Sequence, residues 1–274
     1  MTDKNNIALS VKNLKTFFYT NNRCNKAVNG VSFDVEKGKT LCIVGESGCG
    51  KSVTAATIMQ LLPTLSRIEE GEIIFRKDDK TVNIEKLEKN GKEMRNIRGS
   101  DIAMIFQDPM TSLTPHLKIG DQLAEIAIYH KKITKSQALQ RAAEVMDVVK
   151  LPNNRDIINS YPHELSGGMK QRIMIAISLM CEPDLIIADE PTTALDVTTQ
   201  AEILNIFNEL KNNLNIGLVL ISHNIGVIAE TSNEVLEMKN GQILENGNTH
   251  EVLTKPKNDY TKHLLSCIPP WIGN

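Results

Sequence analysis

The chain has 274 residues, of which 41% are hydrophobic and 23% are charged, and its formal net charge is −2. These values are typical of an ordinary globular protein, and the length allows one large α/β domain or a domain with an inserted lobe. Because there is no basic surplus, we expect no nucleic-acid partner.

The N-terminal residues, the apolar stretches and the cysteines indicate in which cellular compartment the protein works. The first residues, Met1–Asn6, lack the apolar core of a signal peptide. The longest apolar stretch, Ile173–Cys181, has about half of the ~20 residues that a bilayer-spanning helix needs. The five cysteines are scattered without CxxC spacing, which favours a reduced cytosolic compartment. We therefore expect any membrane role to come from partner subunits.

The first elements are strands and turns. Alternating hydrophobicity in Val28–Val35 predicts an antiparallel edge strand that ends at the turn formed by Lys37 and Gly38. The segment Arg76–Arg98 is dense in charge, and we interpret it as a solvated hairpin and loop.

Three short apolar runs predict strands that are buried on both faces of a parallel sheet, because they are nearly continuous and do not alternate. They are Thr40–Val44, Asp184–Ala188 and Gly217–Ser222. Each run ends at a candidate functional residue, namely Gly45, Asp189 or His223. Since ligands of open α/β sheets bind beyond the carboxyl ends of the strands, we expect these residues at one edge.

Between the first and the second of these apolar runs, the sequence pattern changes to that of a helix from Pro109 to Leu165. Thr134 and Gln137 fit a capping box at a helix start. Apolar residues then recur at helical spacing until Leu151 and Pro152 end the run. This stripe consists of Leu139, Ala142, Ala143, Met146 and Val149.

A Walker A pattern follows the first predicted parallel strand. In such a loop, glycines let backbone N–H groups wrap the β-phosphate, and the next helix points its positive end at the charge. Lys51 would contact the β- and γ-phosphates, and Ser52 would bind Mg²⁺. The loop consists of Gly45, Glu46, Ser47, Gly48, Cys49, Gly50, Lys51 and Ser52.

Two adjacent acidic residues follow the second predicted parallel strand. Asp189 comes after four apolar residues and is the natural carboxylate on the Mg²⁺ side, whereas Glu190 would polarise the attacking water. A buried pair of carboxylates is costly unless a cation or hydrogen bonds compensate. We therefore expect ATP and Mg²⁺ as cofactors.

Between these motifs lies the octet Leu-Ser-Gly-Gly-Met-Lys-Gln-Arg at residues 165–172. In this order, the motifs resemble the ATPase subunits of ATP-binding-cassette (ABC) transporters from about Leu9 to Pro269. The resemblance implies an α/β fold: a P-loop NTPase (RecA-like) core with a mostly parallel sheet, an N-terminal antiparallel β subdomain and an inserted α-helical subdomain. The implied parts are core residues 1–108, helical subdomain 109–165, core residues 166–248 and a short C-terminal tail, 249–274.

The resemblance also implies roles for residues outside the Walker motifs. The signature turn of Ser166, Gly167 and Gly168 would complete the nucleotide site of a partner subunit. Gln107 would contact the Mg²⁺ and γ-phosphate region as a metal ligand and catalytic residue. His223 would contact the γ-phosphate, and Phe18 would stack on adenine, with Tyr19 as the alternative.

The segments Ala103–Pro115, Tyr161–Glu164 and Asp259–Leu265 resemble the peptide and nickel importer branch of this family. That branch implies two membrane permease subunits, a second ATPase subunit that is the same or a different chain, and an extracytoplasmic substrate-binding protein. The protein would lie peripherally on the cytoplasmic face of the cell membrane. Its loops favour di- or oligopeptide cargo, whereas its short tail favours nickel or a metal chelate.

Cys49 departs from the serine or alanine that is more frequent in this family. A thiol near a helix N-terminus and Lys51 is expected to ionise more easily than a free cysteine, which predicts a reactive handle on activity.

Other users of the same signature fit less well. DNA-repair ATPases separate the two halves by a long coiled coil, and the sequence has no heptad array. Translation-factor ATPases normally carry two cassettes, and exporters often carry a fused membrane domain, whereas this sequence shows one cassette alone.

Overall fold

A computed structural model describes residues 6–20, 23–78, 80–152, 154–193 and 195–266. Its first sheet has four antiparallel strands in the order β2-β1-β4-β5: β1 (Ile7–Thr20), β2 (Arg23–Glu36), β4 (Ser66–Lys77) and β5 (Lys80–Asn83). Because β2 lies at the edge of this sheet, the edge strand predicted around Val28–Val35 is confirmed.

The second sheet has six strands in the order β10-β9-β3-β8-β7-β6. They are β3 (Thr40–Val44), β6 (Ile102–Ile105), β7 (Leu185–Asp189), β8 (Gly217–Ile221), β9 (Glu234–Lys239) and β10 (Gln242–Asn248). All neighbours pair in parallel except β9 and β10. The three predicted parallel strands are confirmed with boundaries that differ by one residue, since β7 starts at Leu185 and β8 ends at Ile221.

The parallel strands are buried on both faces because each contributes alternate side chains to two different cores. In β3, Cys42 and Val44 pack into the core shared with the helices. Leu41 and Ile43 pack into the core between the two sheets. This explains why β3, β7 and β8 consist of uninterrupted apolar residues up to the point where the chain reaches the functional residues.

Eleven helices are assigned within the described ranges. They are α1 (Lys51–Ile58), α2 (Lys92–Ile97), α3 (Pro109–Ser112), α4 (Ile119–Lys131), α5 (Lys135–Val148), α6 (Asn154–Ile157), α7 (Gly167–Leu179), α8 (Val197–Leu214), α9 (Ile225–Thr231), α10 (Thr249–Thr254) and α11 (Asp259–Ser266). Short 3₁₀ turns lie at Ile84–Lys86 and Pro162–Glu164. Among the described residues, none of these helices combines the length and the apolar character that crossing a membrane requires.

The predicted capping box is confirmed at the start of α5. The Thr134 hydroxyl accepts from the Gln137 backbone N–H at 3.3 Å, and the Thr134 N–H donates to the Gln137 side chain at 2.9 Å. The predicted stripe is buried at Ala142, Met146 and Val149. The helical pattern predicted from Pro109 to Leu165 corresponds to the helices α3 to α6 among the described residues of this stretch.

The interpretation of Arg76–Arg98 as a solvated hairpin and loop is only partly correct. The hairpin exists as β4 and β5, but a 3₁₀ turn and the helix α2 follow it. Ile84, Met94 and Ile97 are buried in the core between the two sheets. The charges are on the outside of this segment, and its few apolar side chains anchor it.

Candidate nucleotide-binding site

The loop between β3 and α1 requires glycine at two positions where the backbone of another segment approaches closely. A Cβ on Gly45, which has φ 142°, would lie 2.2 Å from the Met238 carbonyl oxygen. A Cβ on Gly50, with φ 111°, would lie 2.3 Å from the Ala27 carbonyl oxygen. Both contacts are too short for any side chain, so glycine permits the loop to fold against β2 and β9.

The Lys51 side chain is buried inside this loop. Its ammonium donates hydrogen bonds to the carbonyl oxygens of Gly45 at 2.7 Å and Glu46 at 3.0 Å. A positive charge surrounded by backbone at the start of α1 favours an anion at the mouth of the loop. The structure therefore provides the arrangement that binding of a phosphate group requires.

Ser52 and Asp189 come from different motifs and meet beside this loop. The Ser52 hydroxyl donates to Asp189 Oδ1 at 3.1 Å, and Asp189 is 7% exposed. Burial raises the pKa of Asp189, the Ser52 hydrogen bond opposes that effect, and the neighbouring Glu190 charge raises the pKa further. A hydroxyl and a carboxylate in contact supply the hard oxygen ligands that Mg²⁺ prefers.

Glu190 is held by three side chains at the cavity. One carboxylate oxygen accepts from Gln107 Nε2 at 3.1 Å and from the Thr193 hydroxyl at 3.0 Å. The other lies 3.3 Å from His223 Nδ1. Glu190 has φ 46°, a left-handed backbone conformation that is uncommon for residues other than glycine. The structure thus brings the three proposed catalytic side chains into direct contact.

Thr193 is a site residue that the sequence reasoning missed. It contacts Glu190 because the turn after β7 brings its backbone N–H to the Glu190 carbonyl at 3.3 Å. The sequence did contain a signal for this contact: Thr193 lies three positions after Glu190, a spacing at which a turn can bring the two side chains together.

A cavity of about 810 Å³ lies over the phosphate loop. Its volume lies within the ordinary range of small-molecule sites, roughly 300–1,000 Å³. The wall includes Phe18 together with Gln107, Glu190 and His223. Tyr19, the alternative aromatic, instead bonds through its hydroxyl to Glu69 at 2.8 Å. Of the two candidates, Phe18 is the one that lines the cavity.

The signature turn does not line this cavity. Ser166 caps α7, where its hydroxyl accepts from the Met169 N–H at 3.3 Å. Ser166 and Gly167 are exposed, and Gly168 packs against Thr199 of α8. The turn is therefore available to a ligand outside its own chain's cavity.

The expectation that Cys49 ionises easily is wrong. Its side chain lies under the loop and is 5% exposed. Burial raises the pKa of the thiol, and this effect exceeds the opposing influence of Lys51. Proximity to a cation and a helix start predicted the opposite because the sequence does not show that the side chain is turned inward.

A Walker A loop with a buried lysine, a Ser–Asp pair and a held glutamate at the carboxyl ends of parallel strands define a P-loop nucleotide-binding protein. Comparisons with known proteins define the family further. The ABC transporter family matches residues 28–193. The dipeptide transport ATP-binding protein DppD of Bacillus subtilis (strain 168) is 47% identical over 262 residues, which cover 95% of this chain and 76% of that protein.

Further similarity supports the same class. The oligopeptide transport ATP-binding protein AppD of Bacillus subtilis (strain 168) is 45% identical, covering 95% of this chain and 78% of that protein. The dimeric post-hydrolysis structure of the ATP-binding cassette MJ0796, bound to ADP and Pi, matches with a TM-score of 0.76 and 26% identity, covering 88% of this chain and 98% of that chain. The chain belongs to the ABC transporter family and is an ATP-hydrolysing cassette, as its motifs predicted.

Burial of Cys49 predicts that its thiol is protected in the folded protein. With iodoacetamide at neutral pH, we expect Cys49 to be alkylated at least about ten times more slowly than the exposed Cys24, because reactivity needs an accessible thiolate. Peptide mapping by mass spectrometry measures both rates. In denaturant the two rates should converge, and equal rates in the native protein would contradict the buried position.

Proposed function

We propose that the chain is the ATPase subunit of an importer of short peptides. The observation that carries the nucleotide part is the convergence of Lys51, the Ser52–Asp189 pair and Glu190 at one cavity. Such a site combines an anion-binding loop, ligands for a cation and a base for water.

Mg²⁺ fits the donors on one side of this cavity. Ser52 and Asp189 would hold the ion, and Gln107 would add its carbonyl oxygen. In the structure the Gln107 amide nitrogen is used by Glu190, which leaves the amide oxygen for a metal. Bound Mg²⁺ would neutralise charge on the β- and γ-phosphates.

In this proposal, the protein's own groups orient water and phosphate. Lys51 and the loop amides, from Gly45 to Ser52, bind the phosphates, while Phe18 stacks on the adenine. Glu190 polarises the attacking water, and His223 contacts the γ-phosphate. Gln107 and His223 already hold the Glu190 carboxylate, so the base has its position before ATP arrives.

The second half of each site comes from another ATPase subunit. Ser166, Gly167 and Gly168 at the start of α7 would cap the γ-phosphate held by the partner's Walker A loop. The exposure of Ser166 and Gly167, and the place of the turn outside the chain's own cavity, support this arrangement. The dimeric structure of MJ0796 supports pairing of two cassettes.

Cargo and partners follow from the relatives. DppD and AppD carry dipeptide and oligopeptide transport in their names, so we infer a short peptide as cargo. The ATPase would act from the cytoplasmic face of the cell membrane on two permease subunits, with an extracytoplasmic protein that delivers the cargo. Closure on ATP would reach the permeases through the helical part, residues 109–165. Nickel, the alternative cargo, has no support from these relatives.

Lys51 and Glu190 should affect turnover differently. Lys51→Ala should lose nucleotide affinity because the loop loses its cation. Glu190→Gln should bind ATP but lower kcat by about 10²–10⁴-fold and accumulate as a closed dimer, since the base is removed. ATP titration, steady-state ATPase assays and size-exclusion chromatography measure these effects. Full turnover of Glu190→Gln would disprove the assignment of the base.

The signature turn should act in trans. If two copies of the chain can pair, mixing Ser166→Arg with Lys51→Ala gives a dimer with one doubly damaged site and one intact site. ATPase activity should therefore reappear in the mixture although each variant alone is inactive. A signature that acts within its own chain predicts no recovery.

The cargo is tested by disrupting the gene in a strain without redundant systems and measuring uptake of labelled dipeptides, oligopeptides and nickel. We expect loss of peptide uptake with normal nickel uptake. The reverse result would establish the nickel alternative, and unchanged uptake of all three would refute the importer function.

A further inference from the structure

The β9–β10 hairpin supports the phosphate loop from the side opposite to the cavity. The Gly241 backbone N–H, in the hairpin turn, donates to the Cys49 carbonyl at 2.9 Å. The Met238 carbonyl lies so close to Gly45 that it excludes a side chain there. A displacement of the hairpin would therefore move the loop that carries the phosphate-binding amides.

The C-terminal helix α11 is fastened to this hairpin by one threonine hydroxyl between two carboxyl groups. Thr261 Oγ1 contacts Glu237 Oε2 of β9 at a very short distance and Glu245 Oε2 of β10 at 2.6 Å. Thr261 is 4% exposed and Glu237 is 1% exposed. We call this cluster of Thr261, Glu237 and Glu245 the carboxyl clamp.

The two carboxyl groups of the clamp have different surroundings. Burial raises the pKa of Glu237, and the nearby Glu245 charge raises it further against the opposing Thr261 hydrogen bond and Lys239. For Glu245, burial also acts to raise the pKa, but bonds from Thr261 and from the Lys257 and Asn258 backbone N–H groups lower it overall. These two N–H groups lie 2.9 and 3.0 Å from the Glu245 carboxylate.

Tyr260, next to the clamp, packs against Lys239 of β9. The Lys239 ammonium lies 3.9 Å from the centre of its ring. Its hydroxyl is buried and makes no direct hydrogen bond of normal geometry with the residues that the structure describes. Burial raises the pKa of Tyr260, and the Glu46 carboxylate of the loop, which is close enough to act on the phenol, raises it further.

We propose that Thr261 is a positioning residue for the phosphate loop: the carboxyl clamp fixes α11 to the β9–β10 hairpin, and the turn of that hairpin bonds to Cys49 of the loop. This inference rests on the proposed role of residues 45–52 in binding nucleotide. It assigns to the C-terminal helix a part in ATP affinity that none of the nucleotide motifs supplies.

The clamp is tested by binding of Mg-ATP to the full-length chain, measured by isothermal titration together with Tm. Thr261→Val keeps the shape but removes the hydroxyl, and should weaken binding at least about five-fold because the loop is no longer held in place. Thr261→Ser should restore normal affinity. Thr249→Val, which removes another buried threonine hydroxyl at the start of α10, should lower Tm without changing affinity.

The carboxylate of the clamp is tested by an amide. Glu245→Gln puts a donor where the Lys257 and Asn258 N–H groups need an acceptor and should bind Mg-ATP as weakly as Thr261→Val. Binding equal to that of the unchanged protein would refute the role of the clamp.

Tyr260→Phe is a matched control beside the clamp. It keeps the ring over Lys239 and leaves Thr261 unchanged, so Tm and the affinity for Mg-ATP should both stay near normal. If Thr261→Val changes Tm alone, α11 is a structural support and the proposal fails. Lys51→Ala distinguishes failure of this inference from failure of the proposed function. Normal ATP binding by that variant would refute the nucleotide role of the loop itself.

Discussion

The site depends on the parallel pairing of β3, β8 and β7. The backbone ladder continues one step beyond the strands, since the Ser222 N–H donates to the Ile43 carbonyl at 3.2 Å and the Glu190 N–H donates to the Ile221 carbonyl at 3.0 Å. Parallel strands end at the same edge, so the three following loops start at one level. Directly after its ladder bond Glu190 takes φ 46°, a conformation that costs about 1–3 kcal/mol and persists only where surrounding contacts impose it. The ladder and the three side-chain partners of Glu190 are those contacts.

The charges at this edge are arranged for a ligand that carries both signs. The Lys51 ammonium is bonded to carbonyl oxygens inside the loop, whereas Asp189 and Glu190 are adjacent carboxylates a short distance away. An anion alone would be repelled by the carboxylates, and a cation alone by Lys51. A magnesium nucleotide would satisfy both, because the loop would hold its phosphates and Asp189 would help to hold its metal.

The strands and the nucleotide loop could be predicted from sequence because their signals are local. Buried parallel strands are continuous apolar runs, and Thr134 and Gln137 lie three residues apart in the capping box they form. Burial of Met94 and Ile97 was missed because two apolar residues among many charges give no clear period. Cys49 was misjudged for a similar reason, since its inward direction is fixed by β9 and the Gly241 turn, far away in sequence. The carboxyl clamp joins residues 16 and 24 positions apart, and no spacing rule relates them.

The phosphate loop and the start of α7 differ in the partners that their own chain supplies. The β9–β10 hairpin bonds to the loop through the Gly241 N–H, and α11 bonds to that hairpin through Thr261. The first N–H groups of α7 have no partners within their own helix, as in every helix, and Gly167 is exposed outside the chain's own cavity. Ser166 accepts from the Met169 N–H. Under the proposed function, the γ-phosphate of an ATP held by a second cassette would accept from the neighbouring N–H groups. The binding energy of ATP would then act between two chains, because each chain would hold the phosphate in its own loop and need the other chain to complete the site.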